Sequence, residues 1–519
     1  MPIGRTRAIA LTGLRGEPVE IEADLAAGVP AFILIGLPDT ALGEARERVR
    51  SACANSGCEL PNRRVTVNLS PAALPKQGSG FDLGIAMAMC AAAGSVPAES
   101  VARVVHLGEL GLDGRVRAIP GVLPAVAAAR RAGCEIAMVP AACASEAELV
   151  DGIRIVPVDS LRAALIWHGA ELEPGAPLAA EPAALVTAVA PTGPAPDLDE
   201  VVGNEEAVRA LLVAAAGGHH LFMLGPPGAG KTMLAARLPG ILPDLDADQA
   251  IEAASIRSLS GLPVTGLSTA PPFEAPHHTA STAAIIGGGS GVIRPGAIAR
   301  AAHGVLFLDE APEFSRVALD ALRQPLEDRV ITVQRANVSA RYPADFQLVL
   351  AANPCPCGRD GEASCACTPM AKRRYLGRLS GPLLDRVDLQ IRLRRITATQ
   401  LRLAVDRSDH RARPGLSTAR AREQVAAARQ AAIDRWSGTP WRRNGEVPGA
   451  CLRGLDGGPA LPRGVTGTLD RALERGAITM RGYDRVLRIA WTLADLDGRS
   501  RPGTAEIDEA TGYRMAVAA

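Results

Sequence analysis

Aromatic side chains are scarce in this chain, 3% of 519 residues. Beside abundant Ala, Gly and Arg, that scarcity reflects GC-rich coding more than chemistry. Net charge is nearly absent as well: 56 Lys and Arg against 55 Asp and Glu leave +1. The total argues neither for nor against nucleic acid, so any basic surface must be local. The longest apolar run, near Leu83–Gly94, is too short and too rich in small residues to span a bilayer. The opening Met-Pro-Ile-Gly-Arg-Thr-Arg has no apolar signal-peptide core. No period of tens of residues marks a solenoid. Six of the ten cysteines are scattered (Cys53, Cys58, Cys90, Cys134, Cys143, Cys451), which suits buried thiols better than disulfides. Together these absences predict a soluble cytoplasmic protein.

What remains is globular in composition, with 47% hydrophobic and 21% charged residues. The chain is too long for one ordinary core, and roughly two to four domains are expected. Residues 1–170 alternate short apolar runs (Arg64–Leu69, Ile136–Val139) with helical patterns (Leu123–Ala132), the mark of an α+β or α/β domain. Residues 171–199 read as a linker, with Pro174, Pro177, Pro182, Pro191, Pro194 and Pro196 set amid Ala and Gly. Residues 200–395 form an α/β core. Residues 396–519 turn helical: Val425, Ala428, Ala432 and Trp436 share one face behind Ser417 as a cap, and a second helical stretch spans Thr466–Gly498.

The core carries the chemistry. Gly225-Pro226-Pro227-Gly228-Ala229-Gly230-Lys231-Thr232 is a complete phosphate-binding loop between a predicted strand, His220–Leu224, and a predicted helix. Its backbone N–H groups aim at phosphate oxygens, Lys231 adds charge near the β and γ phosphates, and the Thr232 hydroxyl ligates Mg²⁺. Asp309 closes a second apolar strand, where a carboxylate holds Mg²⁺ through water, and Glu310 beside it polarises the attacking water. Asn353 ends a third apolar strand and orients that water. Arg386 follows a helix-breaking Gly-Pro. It is either an arginine finger for a neighbouring subunit's γ-phosphate or the partner of Asp385 or Asp388 in an ordinary ion pair. Arg488, in the C-terminal helical unit, could reach the phosphates from the lid side.

The phosphate loop, Asp309-Glu310, Asn353 and Arg386 occur in the order of AAA+ ATPases. More narrowly, Ala275-Pro-His-His-Thr-Ala-Ser281, Gly287-Gly-Gly289, Arg294-Pro-Gly296, Leu322-Arg-Gln-Pro-Leu-Glu327, Asn353-Pro-Cys-Pro-Cys-Gly358 and Arg378-Leu-Ser-Gly-Pro-Leu-Leu-Asp-Arg386 resemble the magnesium-chelatase-like family called YifB or ComM, over essentially the whole chain. The resemblance implies an AAA+ P-loop core with a C-terminal helical lid, preceded by an α+β Lon-protease-like (ribosomal S5 domain 2-like) domain. It implies ATP and Mg²⁺ as cofactors and a homo-hexameric ring with sites between subunits. In that ring Arg386 acts in trans, Asn353 is the first sensor and Arg488 the second. Trp491 stands where an arginine is expected in the same helix. The activity implied is an ATP-driven motor on DNA, moving branched recombination intermediates in natural transformation; the alternative is a chelatase-like remodelling ATPase acting on a protein partner or in metal insertion.

Three further features bear on what is moved. Residues 261–300 are rich in Gly, Pro, Ser and Thr and read as a loop-like insertion; the resemblance turns it toward the pore and implies a hairpin at Val330–Phe346 before Asn353. Arg294, Arg335 and Arg341 are then candidates to grip branched or single-stranded DNA in the channel, the alternative being solvated loop arginines. The His277-His278 pair has no third ligand nearby and suits a structural role. Cys355, Cys357, Cys365 and Cys367 form C-x-C-x₇-C-x-C, a Zn²⁺ candidate tighter in spacing than the usual C-x₂₋₄-C, with redox chemistry or unliganded thiols as alternatives. In the first domain, Lys76-Gln-Gly-Ser-Gly-Phe-Asp-Leu83 and Leu107–Val116 resemble the Lon protease domain. Leu123 nevertheless occupies the place of the dyad lysine and Ser79 is displaced by a residue, so the expectation is a fold kept without proteolysis.

Overall fold

Val19, Ile21, Ala23 and Leu25 are buried at every second position of the strand Arg15–Ala26, the period of a strand with one face on a core. That strand lies near the middle of a seven-stranded mixed sheet ordered Ala31–Ile35, Arg64–Ser70, Arg15–Ala26, Gly4–Thr12, Val104–His106, Ile136–Pro140, Arg154–Val158. The helix Asp82–Ala93 packs on it and is buried along nearly its whole length. This is the longest apolar run of the sequence, and it makes a central core helix, as an all-round apolar helix must in a soluble fold. The computed structural model describes residues 3–36, 44–58, 60–175, 196–201, 203–289, 293–335, 338–359, 365–395 and 416–515. Among them no helix is long and apolar enough to cross a membrane.

The second sheet is wholly parallel, ordered Phe273–Glu274, Val305–Leu308, Gln347–Ala352, Leu221–Leu224, Leu389–Arg392. Its three central strands are buried at every position and apolar except for Gln347, as parallel strands covered on both faces require. Alternate side chains serve two cores. Leu221 and Met223 join one cluster with the helices Glu205–Gly217 and Lys231–Ile241, while Phe222 and Leu224 join another with Ile298, Phe314 and Phe346.

The C-terminal helices share the first of those cores. Ala421, Val425, Ala432 and Trp436 of Thr418–Arg435 pack with Val486, Ile489 and Trp491 of Met480–Leu496 against the sheet-side helices. Ser417 caps the first of these helices through Arg420 N, as the sequence suggested. The expected run Thr466–Gly498 is divided into Arg463–Glu474 and Met480–Leu496, because Thr479 caps a new helix after Gly476 turns left-handed at φ 66°. Trp491 is 1% exposed, edge-on to Trp436, with the Arg435 guanidinium 4.5 Å from its ring. An arginine there would face the core.

Two sequence boundaries move. Residues 176–195 of the linker lie outside the described residues. The linker's end, however, belongs to the second body: Leu198 is buried in its core and Asp197 Oδ1 accepts from Thr418 N at 2.8 Å. Its start is tied down too, since Arg162 Nη1 donates to Glu173 O at 3.1 Å. The insertion 261–300 is likewise less loop-like than its composition: Phe273–Glu274 is the edge strand of the parallel sheet, and Ile285, Ile293, Ala297 and Ile298 are core. Short apolar pieces between glycines bury well here because neighbouring elements supply the rest of the face.

Candidate functional site

The phosphate loop leaves the strand Leu221–Leu224 and enters the helix Lys231–Ile241. Gly228 and Gly230 sit at φ 78° and 87°, conformations that a side chain resists, and the helix N-terminus behind them offers unpaired N–H groups to an anion. Asn204 Nδ2 steadies the loop from outside through Ala229 O at 3.4 Å.

Sheet order then supplies the partners. The strand ending before Asn353 is hydrogen-bonded to the loop strand, and the one ending before Asp309 lies next beyond. Three parallel strands therefore end side by side. Lys231 Nζ donates to Asn353 Oδ1 at 3.0 Å and to Gly225 O and Pro226 O at 2.6 and 2.9 Å. Thr232 Oγ1 donates to Asp309 Oδ2 at 2.7 Å, so hydroxyl and carboxylate converge on one point, as a shared Mg²⁺ demands. Burial lowers the Lys231 pKa, while Asp309 and Glu310 act to raise it. Lys231, Thr232, Asp309 and Asn353 are thus brought together.

Glu310 follows at φ 51°, ψ 41°, a left-handed geometry that costs a non-glycine residue about 1–2 kcal/mol. Its Oε2 lies 3.2 Å from His278 Nδ1. Sequence reasoning gave the histidine pair only a structural role, and the link was invisible because the residues are distant in the chain. His277 lies against His278 with ring centroids 4.1 Å apart and the rings tilted by 33°.

Arg386 and Arg488 are elsewhere. They line one depression with Arg329, Arg443 and Arg485. His220, just before the loop strand, lines it too, which sets it about 16 Å from Gly225 along that strand. Arg488 faces the end of the sheet opposite its own chain's phosphate loop, and its Nε donates to Val447 O at 2.8 Å. Arg386 does not pair with Asp385 or Asp388. Those carboxylates are held by Arg514 and Arg485 respectively, and Arg386 pairs with Glu327. Five guanidiniums and two carboxylates, Asp345 and Asp388, line that wall, with Glu327 paired to Arg386 and Glu446 to Arg329 and Arg443; Arg386 Nε and Arg485 Nε are buried without a hydrogen-bond partner. Glu327 and Arg485 were missed, although Glu327 lay in a quoted motif.

The candidate DNA contacts group in part. Arg294 is exposed on the hairpin Gly287–Gly288 with Arg294–Pro295, and Arg341 is exposed on the hairpin Val330–Arg335 with Val338–Pro343. The hairpins touch, since a Cβ on Gly287 would meet Val333 Cγ2 at 3.3 Å and Tyr342 Oη donates to Ile293 O at 2.7 Å. The side chain of Arg335 lies outside the described residues. The first body meets this region through Gly13, at φ 63°, where a Cβ would stand 2.6 Å from Arg341 O. Its Ser79 hydroxyl donates to Glu109 and its buried Lys76 donates to Pro71 O, so neither residue serves the other and no Ser–Lys pair forms.

The thiols of Cys355, Cys357, Cys365 and Cys367 all lie within 4.8 Å of one another, with Cys355 Sγ 3.3 Å from Cys357 and 3.5 Å from Cys365.

Parallel sheet, glycine loop, a hydroxyl–carboxylate pair suited to Mg²⁺ and an adjacent acid define a P-loop ATPase. Models of magnesium chelatase subunit ChlI match residues 197–401 and 21–143, and its C-terminal part matches 415–514. The chain is 39% identical to competence protein ComM of Haemophilus influenzae, covering 98% of this chain and 96% of that protein. It is 38% identical to the uncharacterized protein YifB of Escherichia coli (97% and 96%) and 48% identical to an uncharacterized protein of Mycobacterium tuberculosis (99% of each). A shorter stretch, 26% of the chain, is 32% identical to Lon protease of Mycolicibacterium smegmatis. The chain belongs to the YifB/ComM family of magnesium-chelatase-like ATPases.

Proposed function

We propose that the protein is an ATP-dependent, ring-forming DNA motor, a homo-hexamer that drives branch migration of recombination intermediates, with ATP and Mg²⁺ at the phosphate loop and Zn²⁺ on the four cysteines. The observation that carries this reading is the separation of the two halves of the site. Lys231, Thr232, Asp309, Glu310 and Asn353 occupy one end of the parallel sheet, and Arg386 and Arg488 the other. A head-to-tail ring joins them: one protomer gives the phosphate cradle and Mg²⁺ ligands, and its neighbour brings Arg386 and Arg488 to the γ-phosphate. Buried, unpartnered guanidinium N–H groups in an arginine-rich wall suit a phosphate.

Support for DNA comes from the competence name of the Haemophilus influenzae relative and from the adjoining hairpins that carry Arg294 and Arg341. Arg335 belongs to the same proposal. Ile331, Val333 and Tyr342 of the longer hairpin share a core with Leu306 and Leu308 of the strand that precedes Asp309, which is the path by which hydrolysis would displace the hairpins.

The test is ATPase activity with and without DNA, together with ATP-dependent movement of a synthetic three- or four-way junction. Lys231→Ala, Glu310→Gln and Arg386→Ala each abolish movement, and Glu310→Gln still binds ATP. A protein that hydrolyses ATP without response to DNA and moves no junction overturns the reading. The matches to magnesium chelatase subunits favour a second one, a remodelling ATPase acting on a protein partner, and the same null result on DNA would favour it.

A further inference from the structure

Cys355 stands two residues after Asn353, at the exit of the central strand Gln347–Ala352, and is 1% exposed. The turn that follows lies against the phosphate loop: Gly358 adopts φ 64°, and a Cβ there would meet Pro227 Cγ at 3.0 Å. After the second cysteine pair, Thr368 caps the helix Pro369–Leu376 through Ala371 N at 3.2 Å. The buried Tyr375 of that helix meets the Asn353 backbone. The four thiols therefore sit where three parts of the nucleotide site converge: the Asn353 strand end, the phosphate loop and a supporting helix.

Their spacing fits one ion. Four sulfurs about 2.3 Å from a tetrahedral Zn²⁺ are about 3.8 Å apart, and the observed separations among Cys355, Cys357 and Cys365 are 3.3, 3.5 and 3.6 Å. All ten cysteines are free thiols, so no disulfide ties this turn.

We propose that Zn²⁺ bound by Cys355, Cys357, Cys365 and Cys367 is a brace for the catalytic centre, setting the position of Asn353 and the stiffness of the Gly225–Thr232 loop. The proposal rests on the reading of that loop as an ATP site and deepens it. The metal takes no part in hydrolysis. By tying both ends of residues 355–367 to one point, it holds the carboxamide that meets Lys231 and the glycine turn that backs Pro227.

Zinc content and amide hydrogen exchange test it on the full chain, purified without chelator. We expect about one zinc per chain, lost in Cys365→Ser/Cys367→Ser and kept in Cys357→His, since Cys₃His also binds zinc. On removal of zinc with a thiol-specific mercurial and a chelator, exchange at residues 225–230 and 353–358 should quicken at least about tenfold, while the helix Asp82–Ala93 remains protected. That helix reports whether a variant has simply unfolded. Protein with well under one zinc per chain overturns the site. A zinc-loaded protein whose loop exchange ignores metal removal overturns the brace. If zinc and exchange behave as stated but nucleotide does not bind, the ATP reading fails and the brace stands.

Discussion

His278 Nδ1 lies 3.2 Å from Glu310 Oε2, joining the proposed water-polarising residue to a segment leading into the Arg294 hairpin. Glu310 already sits in a left-handed backbone geometry, so its side chain has few alternative positions. On the proposed reading of Glu310, this contact restrains its carboxylate in the absence of nucleotide and DNA. His278→Ala should raise the DNA-independent ATPase rate several-fold and shrink its stimulation by DNA. Steady-state ATPase assays with and without DNA check this; a variant that loses both rates equally contradicts it.

Glu310→Gln keeps the size and hydrogen-bonding reach of the side chain while removing its charge. Hydrolysis should fall by about 10²-fold or more, with ATP binding within a few-fold of the parent. Single-turnover hydrolysis and a fluorescent-nucleotide titration separate the two.

A buried chain of neutral groups in the first body makes stability pH-dependent. His106 Nε2 lies 3.0 Å from His168 Nε2, flanked by Thr6 and Ser100. Burial lowers both pKa values, that of His168 to about 4, and His168 lowers His106 further. Between pH 6.5 and 4 the unfolded chain takes up protons that the folded one refuses, so stability falls as pH falls through that window. For His168 the loss approaches roughly 3 kcal/mol at the acid end. Urea unfolding at pH 7.5 and 5 should show it, and His168→Gln should flatten the slope; equal stability at both pH values contradicts the assignment.

Leu198→Ala tests whether the end of the proline-rich segment is structural. Leu198 is 1% exposed within the core shared by the parallel sheet and the C-terminal helices, so truncation should cost about 3 kcal/mol. A true linker residue would cost almost nothing.

The placement of the candidate site residues on the sheet was legible because each lies at the end of an apolar run that reads as a buried parallel strand, and a glycine loop declares its own backbone geometry. Asn353 and Asp309 needed only the right strand order to meet Lys231. The end of the sheet that Arg488 covers was not legible, because linear order does not say which end of a sheet a helix covers. Glu327, Arg485 and His278 went unassigned for a related reason: their partners are 50 or more residues away in most cases, and nothing local marks the pairing. In residues 261–300 composition misled, since a two-residue edge strand and a four-residue helix are too short to show a period. Leu198 carried no signal at all beyond being apolar among prolines.

The most direct measurement mixes two inactive proteins. Lys231→Ala destroys the cradle and spares the arginine face; Arg386→Ala does the reverse. Random assembly of equal amounts restores about a quarter of the seams, so we expect ATPase activity to reappear on mixing at a substantial fraction of the parent rate. A mixture as inactive as its components, though assembled into rings with nucleotide, or an Arg386→Ala protein that hydrolyses ATP at the parent rate, would contradict a site shared between protomers.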